Sequence, residues 1–321
     1  MNATVRPAPR PPAKTAAPTD ALGEIVAELA ELRSRSHHAR YGSTPLPELP
    51  SKPAVIGAVE GFVAAMFPRH FGPKDLTYAK VDAFVGEVLA QSLAALERQI
   101  GLELALTGRA APATAASPAE IAADFAAALP GIRALLETDI RAAYEGDPAA
   151  SSIDEVMCCY PGVAAVIRHR LAHQLYRSGL PMLARIISEA AHAATGIDVH
   201  PGADIGERFF IDHGTGVVIG QTAVIGAGVR LYQGVTLGAR RFEVDRDGAL
   251  AKGYARHPTI ADNVVIYAGA SVLGRITVGS GSIIGGNVWL TESVPPGSMI
   301  SQTTARRRGA ARRPRDPASA E

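Results

Sequence analysis

The sequence predicts an all-helical domain followed by a parallel β-solenoid, and three observations carry that expectation. Through the first half of the chain apolar residues recur at helical spacing. After Gly196 small aliphatic residues recur every sixth position with glycines between them. A single charged insert then breaks that rhythm and is too polar to lie inside it. Length and composition agree: 321 residues, 47% apolar and 20% charged, hold ample material for a core and exclude wholesale disorder.

Residues 1–19 are rich in Pro, Ala and Thr and carry no acidic side chain before Asp20, which reads as a disordered leader. Residues 20–195 form the expected helical domain. Leu22, Ile25, Val26, Leu29 and Leu32 follow helical spacing, as do Val81, Phe84, Val85, Val88 and Leu89. A further helix is marked by Val163, Val166, Ile167, Leu171 and Leu175, and Pro181 suits the first turn of the next. Two helix starts compete nearby, one with Asp147 as N-cap and one with the capping box Ser152-Ile-Asp-Glu155. Cys158 and Cys159, adjacent in this helical context, form neither a disulfide framework nor a spaced zinc set and read as packing residues.

The solenoid is expected over 196–302. Its aliphatic positions are Val199, Ile205, Ile211, Val217, Ala223, Val229 and Val235, then Ile260, Ile266, Val272, Val278, Ile284 and Leu290, read as one unslipped register of six. Six residues make a short strand and a turn, and three such units make one triangular coil with the aliphatic inward. The insert, 238–256, carries Arg240, Arg241, Glu243, Asp245, Arg246, Asp247 and Lys252 and is expected to protrude as a loop. The Arg-rich tail, 303–321, reads as disordered and basic.

Some functions are disfavoured at once. A balance of 32 basic and 31 acidic residues removes the basic face of a nucleic-acid binder, and no stretch of 18 uncharged apolar residues suggests a membrane span. Without a signal-peptide block, the expected compartment is the cytoplasm.

Three polar clusters interrupt the solenoid: Asp198-Val-His200-Pro201, Asp212-His213-Gly214 and Arg256-His257-Pro258. Asp198 precedes His213 by 15 residues, near the 18 of a full coil, so the carboxylate could orient the imidazole from the adjacent coil. Histidine can take a proton from a hydroxyl and return one to a leaving group, and a carboxylate on its other nitrogen fixes the tautomer. Arg256 beside His257 offers a fork for a carboxylate, while Asp147 and Asp212 would suit an ammonium. A small hydroxylated zwitterion fits this inventory, which does not name it. Three other readings stay open on the residues alone: corner residues that only bond the turns, a zinc site on His200, His213 and His257, and acetylation of a sugar.

The runs Asp198-Val-His200-Pro201, Ile211-Asp212-His213-Gly-Thr-Gly, Gln233-Gly-Val-Thr-Leu-Gly238 and Arg256-His257-Pro258-Thr-Ile resemble those of bacterial and plant serine O-acetyltransferases. Asp147-Pro148 and Cys159-Tyr160-Pro161-Gly162 are similar to one branch of that family, and the resemblance spans roughly 145–300. It implies a left-handed parallel β-helix of hexapeptide repeats and acetyl transfer from acetyl-CoA to the hydroxyl of L-serine in cysteine synthesis. Homoserine or a sugar is the alternative acceptor. By position it implies His213 as general base, Asp198 as its orienting carboxylate, Asp147 and Asp212 on the serine ammonium, and Arg256 and His257 on its carboxylate. Gly238, Ala268 and Gly286 would line the acetyl-CoA groove beside the loop, with no metal and no permanently bound cofactor. It also implies a homotrimer or a dimer of trimers with the site between neighbouring solenoids. The chain departs from the pattern where Val294-Pro-Pro-Gly297 leads into Met-Ile-Ser rather than a closing coil, and in its end Ser-Ala-Glu321. Members that dock into O-acetylserine sulfhydrylase end in isoleucine, so that docking is expected to be absent or altered.

Overall fold

In a computed structural model of the chain, residues 18–42, 47–106 and 116–302 are described. The expected tail, and the leader up to residue 17, lie outside them. The chain divides into two units, up to Glu48 and from Leu49 onward. In the first, helix α1 (Pro18–Tyr41) begins two residues inside the expected leader. Its stripe of Leu22, Ile25, Val26, Leu29 and Leu32 is exposed.

The second unit opens with α2 (Lys52–Met66), α3 (Pro68–Phe71), a 3-10 turn and α4 (Val81–Leu106). It continues with α5 (Pro118–Gly146), α6 (Ile153–Cys159), α7 (Pro161–Arg177) and α8 (Pro181–Thr195). The helix starts follow from local chemistry. Ser51, Ser117 and Ser152 cap α2, α5 and α6 through their hydroxyls, and α5, α7 and α8 begin on proline, where a missing N–H costs nothing. The competition at residue 147 is settled against an N-cap: Asp147 ends α5, and its carboxylate accepts the Ala149 N–H at 2.8 Å in a turn of its own. Helix α6 starts from Ser152 instead, although Glu155 bonds Ser151 rather than completing the box. Cys158 and Cys159 are exposed at the end of α6 rather than packed in the core as expected; the buried side of that short helix is Val156 and Met157.

Among the described residues, fourteen strands follow: β1 (Asp198–Val199), β2 (Asp204–Ile205), β3 (Phe210–Ile211), β4 (Val218–Ile219), β5 (Val224–Ile225), β6 (Arg230–Leu231), β7 (Thr236–Gly238), β8 (Thr259–Ile260), β9 (Val265–Ile266), β10 (Ser271–Leu273), β11 (Thr277–Val278), β12 (Ile283–Ile284), β13 (Trp289–Leu290) and β14 (Met299–Ile300). They pair in parallel as three sheets, β1-β4-β7-β10-β13, β2-β5-β8-β11 and β3-β6-β9-β12-β14, which we call A, B and C. Every third strand falls in one sheet, so the chain winds as a three-sided coil with the second residue of nearly every strand buried inside.

One expectation is corrected here. The register of six slips: from Ile211 to the next inward strand residue, Ile219, is eight positions. The extra pair lies in the corner that carries Asp212 and His213. The slip is hidden in the sequence because each unit buries two aliphatics, as Val217 with Ile219 and Val229 with Leu231. A ladder of six therefore continues on the other member of the pair. Between β7 and β8 no strand of the coil occurs, and the intervening chain pairs with itself through one antiparallel bridge between Val244 and Leu250.

Helices α7 and α8 share a core of Val166, Leu171, Leu175, Leu183 and Ile187 and contact β3 and β1, so the helical part buries the open end of the solenoid. Two features lock the junction. Arg170, buried, gives a bidentate pair to Asp139 with both bonds at 3.1 Å and donates on to the carbonyls of Ile205 and Gly206, while Asp139 accepts the Phe209 N–H. Gly162, at the start of α7, lies so close that an added Cβ would meet the Ile211 carbonyl oxygen at 2.1 Å. Gly162→Ala is therefore expected to cost about 1–3 kcal/mol by overpacking, read as a lowered Tm. A change below the scatter of the measurement would contradict this contact.

Candidate active site

The first half of the site is built at the C–A edge. His213 sits in the eight-residue corner with φ 58, followed by Gly214 at φ 93 and Gly216 at φ 77. A left-handed histidine is strained by roughly 1 kcal/mol or more, and glycines take the other two left-handed positions of the corner, Gly214 and Gly216. Gly214 packs directly on Ile197, which sets Asp198 beside the same corner. The His213 side chain is 70% exposed, and its Nδ1 lies 3.8 Å from the carboxylate of Asp212, which is only 13% exposed. Among the described residues no ion pair joins Asp198 to His213. The expected Asp198–His213 partnership is thus a neighbourhood of adjacent chain segments, and the carboxylate in ion-pair range is that of Asp212.

Asp147 is brought to the same edge. It accepts a hydrogen bond from the Tyr160 hydroxyl as well as the Ala149 N–H. These bonds hold its carboxyl below the usual range, with smaller help from His213 and Arg230, and the same hydrogen bond, with burial and the Asp147 charge behind it, pushes the Tyr160 phenol up to about 12. Arg230 lies over Phe210 at 5.1 Å and donates to Tyr232, whose ring stacks on Tyr267 at 5.1 Å. Tyr160 and Arg230 were not singled out from the sequence. Tyr160 lay within a recognised motif, but nothing in its spacing showed that its hydroxyl turns back 13 residues to Asp147.

The strand register carries this edge upward. In line with His213 come Gln233, Ala268 and Gly286, linked by Gly269 N–H to the Gln233 carbonyl and Asn287 N–H to the Ala268 carbonyl. Two of the three expected donor positions, Ala268 and Gly286, thus stand over His213.

The other half is on the A–B edge. His257 is buried, and its Nδ1 accepts the Thr222 backbone N–H at 3.1 Å, which leaves the proton on Nε2. Gly220 makes room for the ring: a Cβ there would lie 2.0 Å from it. Burial first, and Arg256 second, lower the His257 pKa to about 4, so it is a neutral donor at physiological pH. Arg256 donates to the Gln221 side chain at 2.9 Å, and Gln221 in turn donates to the Tyr176 hydroxyl at 2.8 Å. His200 meets Tyr176 edge-on at 5.7 Å, and burial lowers its pKa to about 4 as well. Gly238 ends β7 on this edge.

The two halves are therefore not together in one chain. Sheet A lies between them, on the order of 13–20 Å at about 3.3 Å per residue, against about 3.5 Å for the backbone of one amino acid. The outer face of sheet A between the halves exposes Val218 and, 67% accessible, Trp289. Among the described residues no group of three His, Cys, Asp or Glu side chains converges as a metal set, and no helix is long and apolar enough to cross a membrane.

Comparison with known proteins gives one consistent result. Residues 257–292 match the family described as bacterial transferase hexapeptide (six repeats). A plasmid-encoded serine acetyltransferase of Synechococcus elongatus is 53% identical over 292 residues, covering 89% of this chain and 92% of that one. The serine acetyltransferase of Mycobacterium tuberculosis is 52% identical over 162 residues, covering 50% and 67%. Among solved structures, serine acetyltransferase 1 of Entamoeba histolytica in complex with L-cysteine is 34% identical with a TM-score of 0.66, covering 87% of this chain and 97% of that one. The three-sided coil is accordingly a left-handed parallel β-helix.

Proposed function

Because this chain belongs to the serine acetyltransferase family, we propose that it transfers the acetyl group of acetyl-CoA to the hydroxyl of L-serine, with His213 as general base. The observation that carries this reading is the division of the site: a base and two carboxylates on one edge of sheet A, an arginine and a neutral histidine donor on the other. Each half suits one part of serine. Asp147 and Asp212 take the ammonium, and Arg256 with the Nε2–H of His257 takes the carboxylate. Between them the hydroxyl faces His213.

The imidazole removes the hydroxyl proton as the oxygen attacks the thioester carbonyl carbon. Collapse of the tetrahedral intermediate breaks the C–S bond, and the imidazolium returns the proton to the leaving thiolate. Asp198 is a positioning residue that steadies the imidazolium while Asp212 is engaged by the ammonium. Gly238, Ala268 and Gly286 supply close-approaching backbone along the donor's arm. Alignment of hydroxyl and thioester supplies the rest of the acceleration.

The chain completes its site in a homotrimer, in which the His213 edge of one copy lies beside the Arg256 edge of the next. The exposed Val218 and Trp289 on the intervening sheet support burial of that face. The test is complementation. His213→Ala and Arg256→Gln proteins are each expected to be inactive with L-serine. Mixed one to one and reassembled, they should recover about a quarter of the wild-type activity, the fraction of random neighbours that pair an intact edge with an intact edge. Recovery of none would mean that each chain carries its whole site. The same assay run with L-homoserine and a sugar panel separates serine from the other acceptors: faster acetylation of either would replace this substrate.

A further inference from the structure

Asp147 closes α5 and Asp212 follows β3, so the two carboxylates assigned to the ammonium stand on separate elements. A cation held by both requires their side chains to keep one relative direction. Tyr160 is the residue that ties the two elements together. It is at once the C-cap of α6 and the N-cap of α7, with Pro161 fixing the backbone angle that follows. One residue further, Gly162 packs on the carbonyl of Ile211, the neighbour of Asp212. From that anchored stretch the Tyr160 hydroxyl reaches back across 13 residues to one oxygen of Asp147. The other oxygen takes the Ala149 N–H at 2.8 Å.

The chemistry of this contact favours a substrate cation. The phenol lies in the field of Asp147, Glu155 and Asp212, and all three oppose its ionisation. It therefore stays neutral and gives its one proton to Asp147. A neutral donor fixes a carboxylate without cancelling its charge, which a guanidinium in the same place would do. Arg230 is close enough to lower the Asp147 carboxyl, yet among the described residues no ion pair joins them. Arg230 is turned aside instead: it donates to the Tyr232 hydroxyl at 3.3 Å and lies over the Phe210 ring at 5.1 Å. Each carboxylate oxygen accepts more than one bond, so acceptor positions remain on Asp147 for an ammonium.

We propose that Tyr160 is a positioning residue for acceptor recognition, its hydroxyl fixing the direction of the Asp147 carboxylate relative to Asp212 so that the pair selects an ammonium group. The proposal rests on the serine reading above and adds to it the side chain that makes one of the two carboxylates rigid. It assigns Tyr160 to the amino group of the acceptor and to no other part of it.

Tyr160→Phe keeps the ring and removes the hydroxyl. The variant is expected to raise KM for L-serine about tenfold, the ordinary loss of a hydrogen bond to a charged group, while kcat stays within about threefold and KM for acetyl-CoA is unchanged. The deamino analogue 3-hydroxypropanoate keeps the hydroxyl and the carboxylate but has no ammonium, so it should inhibit both proteins equally. A merely structural tyrosine would weaken serine and the analogue together. That result, or a KM for serine within about twofold of wild type, would overturn the role while leaving serine acetylation in place. A second readout needs no substrate: carboxyl NMR of Asp147, assigned by its loss in Asp147→Asn. Removing the hydroxyl should raise this carboxyl's pKa, because that bond is the largest influence holding it down. If wild-type protein acetylates no L-serine, the substrate reading fails while the titration still decides the anchoring: an upward shift in Tyr160→Phe upholds it, and none overturns it.

Discussion

His213→Ala is expected to lower kcat for serine acetylation by about 10²–10⁴-fold, the ordinary contribution of a positioned general base, with the oligomer intact. The side chain is largely exposed in the single chain and supports no core, so its removal should leave stability nearly unchanged. The backbone needs a control, since an alanine at φ 58 keeps the left-handed strain of the corner. Asparagine tolerates that conformation better than other non-glycine residues. His213→Asn should therefore match wild type in Tm and match His213→Ala in lost activity. Serine turnover within tenfold of wild type in both variants, with assembly preserved by light scattering, would remove His213 as the base and with it the chemical core of the reading.

The parts of this protein that could be read from sequence are those where physics is periodic. Helical spacing marked α4 and α7, Pro181 marked the start of α8, and the six-residue aliphatic ladder announced a three-sided coil. The slip at His213 was invisible because two buried aliphatics per unit let one ladder hand over to the other, as Ile211 does to Val217. That slip carries the site's most unusual backbone. The candidate residues themselves came from their chemistry and from motif resemblance, and the fold sorts them onto two edges. What the sequence lacked were contacts between distant residues: Tyr160 returning to Asp147, Thr222 taking the inner nitrogen of His257, and Arg275 closing a cavity beside Arg256. The last two depend on which coil lies above which, and the loop of 238–256 hides that count, whereas the first depends on how α6 turns the chain back toward the end of α5. Asp147 illustrates the same limit locally, for its sequence suits a cap at either side, and only the packing of α5 against α6 and β3 makes it the end of one helix.

Arg170→Leu is expected to destabilise the folded protein by about 3–5 kcal/mol, the cost of leaving a buried charge without its partner. Asp139 would keep its place between α7 and β3 with only the Phe209 N–H to satisfy it. The pH dependence follows from the sign of its shift. Burial raises the Asp139 carboxyl to about 6, against the Arg170 guanidinium and the Phe209 N–H, which pull it down. A folded-state pKa above the unfolded one means that the native protein holds a proton which the unfolded chain has already lost. The contribution of Asp139 is therefore complete below the unfolded value and declines as pH rises through about 6. Removing Arg170 deletes the strongest downward pull and moves the group further in the same direction. The deficit of Arg170→Leu should accordingly be largest at pH 8 and shrink at pH 5, measured by urea unfolding at one fixed protein concentration because assembly contributes to stability. Asp139→Leu/Arg170→Leu should recover part of the loss, since no charge remains buried. Full recovery is not expected, because the carbonyls of Ile205 and Gly206 and the Phe209 N–H lose their partners together. A single-variant cost under about 1 kcal/mol, or a deficit that grows toward acid, would show that this pair is hydrated in solution and does not fasten the helices to the solenoid.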